Sequence, residues 1–186
     1  MLIGCIGSHS TGKTTFVNAF VEAQKEGCHS GFHAVSSISR KVWAAGLDLN
    51  QGADRLSQML TLFGRAVAED TALEQYRNVI TDRTPLDSLA YNEYQRRHVW
   101  SPAPVDELYQ QITEDLVRQR IRKYDRLLYF PPIIGLEDDG IRDTDVQYQT
   151  EVDNLVRHYV KRICPWAREV PAGSVEERVE WFNAYL

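Results

Sequence analysis

The sequence predicts an α/β fold in which a five-stranded parallel sheet lies between layers of helices. Three observations predict it. Short β-favouring apolar runs alternate with longer stretches of helical periodicity. The first of those runs leads directly into a glycine-rich turn and then a helix. The 186 residues, 43% hydrophobic and 25% charged, suit one globular domain with a sizeable core.

Taken in order, residues 1–6 read as the first strand and residues 13–24 as a helix. Residues 32–35 form a short strand, and residues 38–45 a short helix ending at Gly46, before a turn-rich connection over 48–52. From 54 to 76 the apolar residues Leu56, Met59, Leu60, Phe63, Val67 and Leu73 recur at helical spacing, which predicts a long amphipathic helix. Residues 78–81 follow as a strand ending in Asp82, and Pro85 suits the first turn of a helix carrying Leu86, Leu89 and Tyr94. Pro102 and Pro104 separate it from a helix over 105–123, after which 126–130 is a buried strand stopped by Pro131 and Pro132. Residues 135–145 are a polar, acidic connection, 150–163 an amphipathic helix and 167–170 a last strand. Ser174 with Glu177 makes a capping box that opens a terminal helix.

Composition narrows the function classes. The longest nearly apolar stretch, residues 127–135, contains two prolines and cannot span a bilayer, so no membrane partner is expected. A net charge of −5 argues against a surface that is wholly a nucleic-acid footprint, although one basic cleft fits within an acidic total. Cys5, Cys28 and Cys164 are odd in number and widely spaced, which suits reduced, structural thiols rather than a disulfide framework. Cys28, His29 and His33 lack an obvious fourth ligand for zinc. Because the first strand runs straight into the glycine loop, removing a leader would destroy the motif; the expected location is the cytoplasm, a host's if the protein is viral. Oligomeric state is not legible, and a homodimer is left open.

The chemistry is carried by Gly7-Ser8-His9-Ser10-Thr11-Gly12-Lys13-Thr14, a complete G-x4-G-K-[ST] phosphate loop between a predicted strand and a predicted helix. A chance match in a chain of this length has a probability on the order of 1%, and the required flanking strand and helix lower it further. The glycines let the backbone curl so that its N–H groups, those of Gly7 through Thr15, point at phosphate oxygens in front of a helix N-terminus. Lys13 is expected to reach the β and γ phosphates of ATP, and Thr14 to hold Mg²⁺. The expected architecture is therefore the three-layer P-loop NTPase fold. A guanine-reading Asn-Lys-x-Asp segment is absent, and 186 residues are few for an AAA-type motor, which leaves a compact kinase.

Val79-Ile80-Thr81-Asp82-Arg83 places an acid and a guanidinium at the carboxyl end of a strand, where α/β sheets bind ligands. Asp82 suits either Mg²⁺ or the proton of an attacking hydroxyl, and Arg83 suits a phosphate. Tyr91, Tyr94 and Phe63 sit on helices flanking the acceptor side, available to stack on a base or to fill the core.

The segment Asp82-Arg83-Thr84-Pro85-Leu86-Asp87-Ser88-Leu89-Ala90-Tyr91 resembles the Asp-Arg segment and following helix of thymidylate kinases and deoxynucleoside kinases. There it lines the phosphoacceptor site, which implies substrate contacts for Arg83, Asp87 and Tyr91 here. Residues 124–132, Asp138-Asp139-Gly140-Ile141-Arg142 and Ser174-Val175-Glu176-Glu177-Arg178 resemble the ribosylnicotinamide-kinase-like AAA ATPases. This second resemblance implies a short lid over residues 135–149 that delivers Arg142 to the transferring phosphate; the neighbouring Glu137, Asp138 and Asp139 read as a solvated loop rather than a metal cluster. Such kinases often carry an acidic base just after the second strand. Here that place reads Ser36-Ser37-Ile38-Ser39-Arg40, which moves the expected base to Asp82 and leaves Arg40 as a substrate-binding candidate. The expected acceptor is nucleoside- or nucleotide-like. Its first specific candidate is 5-hydroxymethyluracil within DNA, since small phage-type relatives of thymidylate kinase modify that base, and a free nucleoside or nucleoside monophosphate is its rival. A nucleotide-dependent regulatory ATPase is the reading from another class.

Overall fold

The computed structural model describes residues 1–26, 31–132 and 145–186. Its elements are β1 (Leu2–Ile6), α1 (Lys13–Glu26), β2 (His33–Val35), α2 (Ile38–Ala44), α3 (Arg55–Gln75), β3 (Val79–Asp82), α4 (Pro85–His98), α5 (Asp106–Ile121), β4 (Arg126–Tyr129), α6 (Val146–Ile163), β5 (Arg168–Glu169) and α7 (Val175–Asn183), with a single 3-10 turn at Asn50–Gly52. The five strands form one parallel sheet in the order β2-β3-β1-β4-β5. The expected five-stranded, three-layer α/β architecture is present. Its strand order could not be read from local sequence, because order is set by where the crossovers land.

Alternation along β1 separates the two cores. Leu2 and Ile6 face a cluster with Leu62, Leu86, Leu89, Val117, Ile121 and Val152 from α3 to α6. Ile3 and Cys5 face Phe16, Phe20, Val179 and Phe182 from α1 and α7. Both faces of β1 are buried, which is why its sequence is a continuous apolar run without alternation. The register pairs Cys5 with Asp82, so the strand end that opens the glycine loop lies beside the strand end that carries the acid.

Two expectations need correction. Four of the six apolar residues that identified α3 do not face the core: Leu56, Leu60, Phe63 and Val67 are exposed, whereas Leu73 packs partly buried against it and Ser57, Gln58, Thr61, Leu62, Arg65, Ala66, Glu69 and Ala72 are buried. Periodicity located the helix, but the apolar stripe over 56–67 is its outer side, because the buried side of α3 walls a polar cleft as well as a core. The helix expected at 150–163 begins at Val146, where the Asp145 side chain accepts from the backbone N–H groups of Gln147 and Tyr148. Residues 146–149, assigned to the lid, are therefore the first turn of α6; the rest of that segment, with Arg142, lies outside the described residues except Asp145, as do Cys28 and His29. The expected Ser174–Glu177 capping box is formed.

Gly4 shows how closely the layers meet. A Cβ there would sit 2.7 Å from Thr84 Cγ2, 2.7 Å from Tyr124 Cε1 and 2.8 Å from Leu127 Cδ2. Gly4→Val is expected to cost about 2–3 kcal/mol, measured as a lower urea midpoint at unchanged slope.

Candidate functional site

The glycine loop follows β1 and ends on α1, and its shape depends on unusual backbone angles. Gly7, Ser10 and Gly12 have φ of 153°, 55° and 80°. A Cβ on Gly7 would lie 2.6 Å from the Phe130 carbonyl oxygen and 3.3 Å from Thr11 Oγ1, so only glycine fits where the loop leaves the sheet. Ser8, His9, Ser10 and Thr11 are buried although polar, and the Ser8 and Ser10 hydroxyls have no protein partner among the described residues. Buried hydroxyls without a protein partner, on a loop with positive φ angles, suit the wall of an anion site.

The loop is fastened from α4. One Asp87 carboxylate oxygen accepts the Gly7 N–H at 2.8 Å; the other accepts the Thr84 N–H at 2.6 Å and the Thr84 hydroxyl at 3.0 Å. Asp87 thus closes the capping box of α4 and anchors the loop of β1 at once. These bonds give Asp87 a holding role, and because it also lines the cleft its expected contact with substrate stays a proposal.

Asp82 and Thr14 meet: the Thr14 hydroxyl donates to Asp82 Oδ2 at 2.6 Å. The pair offers a hydroxyl and a carboxylate oxygen to a divalent cation at the mouth of the loop, the hard donors that Mg²⁺ takes. Lys13 is 4% exposed, and its ammonium donates to the Ser8 carbonyl and, at 2.7 Å, to Thr11 Oγ1. Burial, with the Arg83 cation beside it, brings its pKa down to about 7 despite Asp87 and Asp82. A triphosphate in the loop would restore the charged form.

Arg83 holds a positive φ of 89°, a strained value for a residue with a side chain. That turn aims its guanidinium back at the loop, where it donates to the Gly7 carbonyl and the Tyr91 hydroxyl, each at 3.3 Å, and stands 3.9 Å from Asp87. Burial opposes its charge, but Tyr91, Asp87 and Asp82 outweigh that and hold its pKa above the ordinary value. Tyr91 also lies 3.3 Å from His9 Nδ1, and His9 stacks on Tyr148. From α6, Gln149 Nε2 donates to the His9 carbonyl at 2.8 Å, so the helix that follows residues 133–144 grips the loop.

The cleft in front of these groups has a volume of about 230 Å³. His9, Ser10, Thr11, Gly12, Lys13, Thr14, Asp82, Arg83 and Tyr91 line it, as does the exposed Arg40 on α2. Thr15 is exposed at the start of α1 and does not line it, Phe63 is on the outer surface, and Tyr94 is in the core. The sequence reading missed Ser57, Gln58, Thr61 and Arg65, which α3 turns into the cleft. Arg65 is 3% exposed and donates to the Thr84 carbonyl at 2.7 Å; burial lowers its pKa. The signal was present as a polar face at positions 57, 58, 61 and 65, opposite the apolar stripe.

The chain's relatives fit this geometry. A family profile described as an AAA domain matches residues 2–178, and the chain belongs to that family. Among solved structures it is similar to deoxyadenosine kinase from M. mycoides with bound dCTP, at a TM-score of 0.68 and 12% identity over 100% of this chain and 98% of that one. The same enzyme with bound dATP gives 0.62 and 13% with the same coverage. The NadR protein in complex with NR gives 0.72 and 19% over 99% of this chain and 51% of that one. At these identities the likeness is one of fold: the chain has the fold of P-loop kinases. No curated protein matches the sequence. Among the described residues no helix is long and apolar enough to cross a membrane.

The Lys13 shift makes a prediction for the ligand-free protein. A folded pKa near 7 against 10.5 unfolded means that the folded state holds fewer protons between those values, so this group adds stability as pH rises from 7 toward 10.5. Denaturant unfolding of wild type and Lys13→Met across pH 6–10 is expected to show a difference that shifts toward wild type by up to about 1.4 kcal/mol per pH unit. A constant difference would contradict the buried, depressed lysine.

Proposed function

We propose that the protein is an ATP- and Mg²⁺-dependent kinase that transfers the γ-phosphoryl group to a hydroxyl of a nucleoside-type acceptor. The observation that carries this reading is the cleft itself: a phosphate loop on one side and, facing it within the same 230 Å³, Gln58, Thr61 and Arg65 of α3 with Arg83 and Tyr91 beyond β3. A pure switch has no use for a second polar wall; a group-transfer enzyme needs one to hold the acceptor.

In this reading the loop amides and Lys13 hold the triphosphate, and Thr14 with Asp82 would hold Mg²⁺, which supplies charge neutralisation between the β and γ phosphates when bound. Asp82 also takes the proton of the attacking hydroxyl, because Asp82 and Asp87 are the only described carboxylates lining the cleft and Asp87 is committed to Gly7 and Thr84. The acceptor oxygen gains the bond to phosphorus as the bond to the β-phosphate oxygen breaks, and Lys13 and Arg83 balance the charge that moves. Arg142 is retained as the candidate arginine of the lid.

A net charge of −5 supports a free nucleoside before a base presented by DNA. Hydroxymethyluracil in DNA would have to be flipped out of its stack to enter. A nucleoside monophosphate also suits the cations Arg40, Arg65 and Arg83.

The test is transfer from γ-labelled ATP with Mg²⁺ to a panel of free nucleosides, nucleoside monophosphates and hydroxymethyluracil-containing DNA. Labelled nucleoside monophosphate is expected, with Lys13→Ala slower by at least about a hundredfold. Label on DNA alone, lost with added salt, would move the acceptor to the polymer. ATP turnover with no labelled acceptor would favour a regulatory ATPase.

A further inference from the structure

A second pocket opens between α4, α5 and α6. Its volume is about 250 Å³, against about 230 Å³ for the cleft, and the two share no described lining residue. Its buried wall carries Asn92 and Tyr109, each 6% exposed, beside Leu89 and Leu155. Both amide atoms of Asn92 and the Tyr109 hydroxyl lack a partner in hydrogen-bonding geometry among the described residues. Burial pushes the Tyr109 phenol above its ordinary value, against the pull of the Asn92 amide beside it. An amide and a phenol therefore stand together in an apolar setting, where unmet hydrogen bonds are costly. Trp100, set edge-on to Tyr109 at 5.5 Å, and the half-buried Tyr159 add aromatic surface. The mouth is cationic. Glu93 serves Arg96 and Arg97, Glu114 serves Arg118 and Arg162, and Asp106 pairs with Arg55. In these pairs five arginines share three carboxylates, an excess of two positive charges.

We propose that this pocket is a second ligand site, built for a nucleoside monophosphate. A side-chain amide presents a donor and an acceptor side by side, the complement of a nucleobase edge on which an N–H group neighbours an acceptor. The Tyr109 hydroxyl offers one more bond, and the aromatic rings give a base a flat surface to lie against. A phosphate monoester carries a charge of about −1.5 to −2 at neutral pH, which matches the excess at the mouth, and guanidinium forks suit its oxygens. A purely apolar occupant would leave Asn92 unpaired. Inorganic phosphate would use the arginines and leave the buried end unfilled. The ligand would lie between the two helices that hold the phosphate loop, α4 through Asp87 and α6 through Gln149.

The test is calorimetry of the wild-type protein with AMP, GMP, CMP and UMP, each beside its nucleoside and beside inorganic phosphate. At least one monophosphate is expected to bind with a Kd below about 1 mM, with its nucleoside and phosphate alone at least about tenfold weaker. Ultraviolet crosslinking of that nucleotide is expected to label peptides containing Trp100, Tyr109 or Tyr159. Asn92→Leu keeps the volume and removes the unpaired amide, so it is expected to unfold at or above the wild-type temperature and to lose at least about nine-tenths of this label. Arg96→Gln/Arg162→Gln, which changes only exposed side chains, is expected to abolish the preference for nucleotide over nucleoside in that label. No binding by any of the four, phosphate bound as tightly as the nucleotide, or label confined to residues that line the cleft would overturn the proposal. So would label in the second pocket that neither variant reduces.

Discussion

One buried carboxylate organises the cleft. Asp87 accepts from the Gly7 N–H with one oxygen and from Thr84 with the other, so a single side chain fixes where the phosphate loop leaves β1 and where α4 begins. Charge-assisted bonds to backbone N–H groups are worth about 1.5–3 kcal/mol each, enough to hold a loop that contains three positive φ angles. Everything else in the site is placed relative to that clamp. The Thr84 cap sets the turn in which Arg83 takes its strained φ, and the Thr84 carbonyl receives Arg65 from α3. Tyr91, one turn along α4 from Asp87, carries the contact on to His9 and so to α6.

The same arrangement gathers positive charge. Lys13, Arg65 and Arg83 are each mostly buried around one cleft, with Asp82 and Asp87 as their described counter-ions there. Desolvation and mutual repulsion depress Lys13 and Arg65. A triphosphate and a polar acceptor relieve that repulsion, which is the electrostatic content of the kinase reading: the site is held in a form that anionic substrates complete. The hydroxyls of Ser8 and Ser10, buried without protein partners among the described residues, fit the same picture.

Local chemistry was legible in the sequence and long-range assembly was not. The loop Gly7–Thr14, the acid–arginine pair at the end of β3 and the capping box before α7 each depend on residues a few positions apart, and each is where the spacing put it. The holding role of Asp87 depends on a residue 80 positions away, so the local spacing that made it a substrate-binding candidate gave no sign that its carboxylate also holds Gly7. The polar wall of α3 was hidden by its own apolar stripe, because periodicity reports that a helix has two faces without saying which faces inward. Residues 133–144, with Arg142, lie outside the described residues, so the lid remains a proposal.

The most direct measurement is ATP affinity of the Asp87→Asn protein by calorimetry, beside amide exchange at Gly7. Asparagine keeps the volume but removes the charge and turns one acceptor into a donor facing the Thr84 or Gly7 N–H. If the clamp organises the site, the variant stays folded, Gly7 exchanges faster and ATP affinity falls at least about tenfold. Unchanged Gly7 protection with unchanged ATP affinity would contradict it.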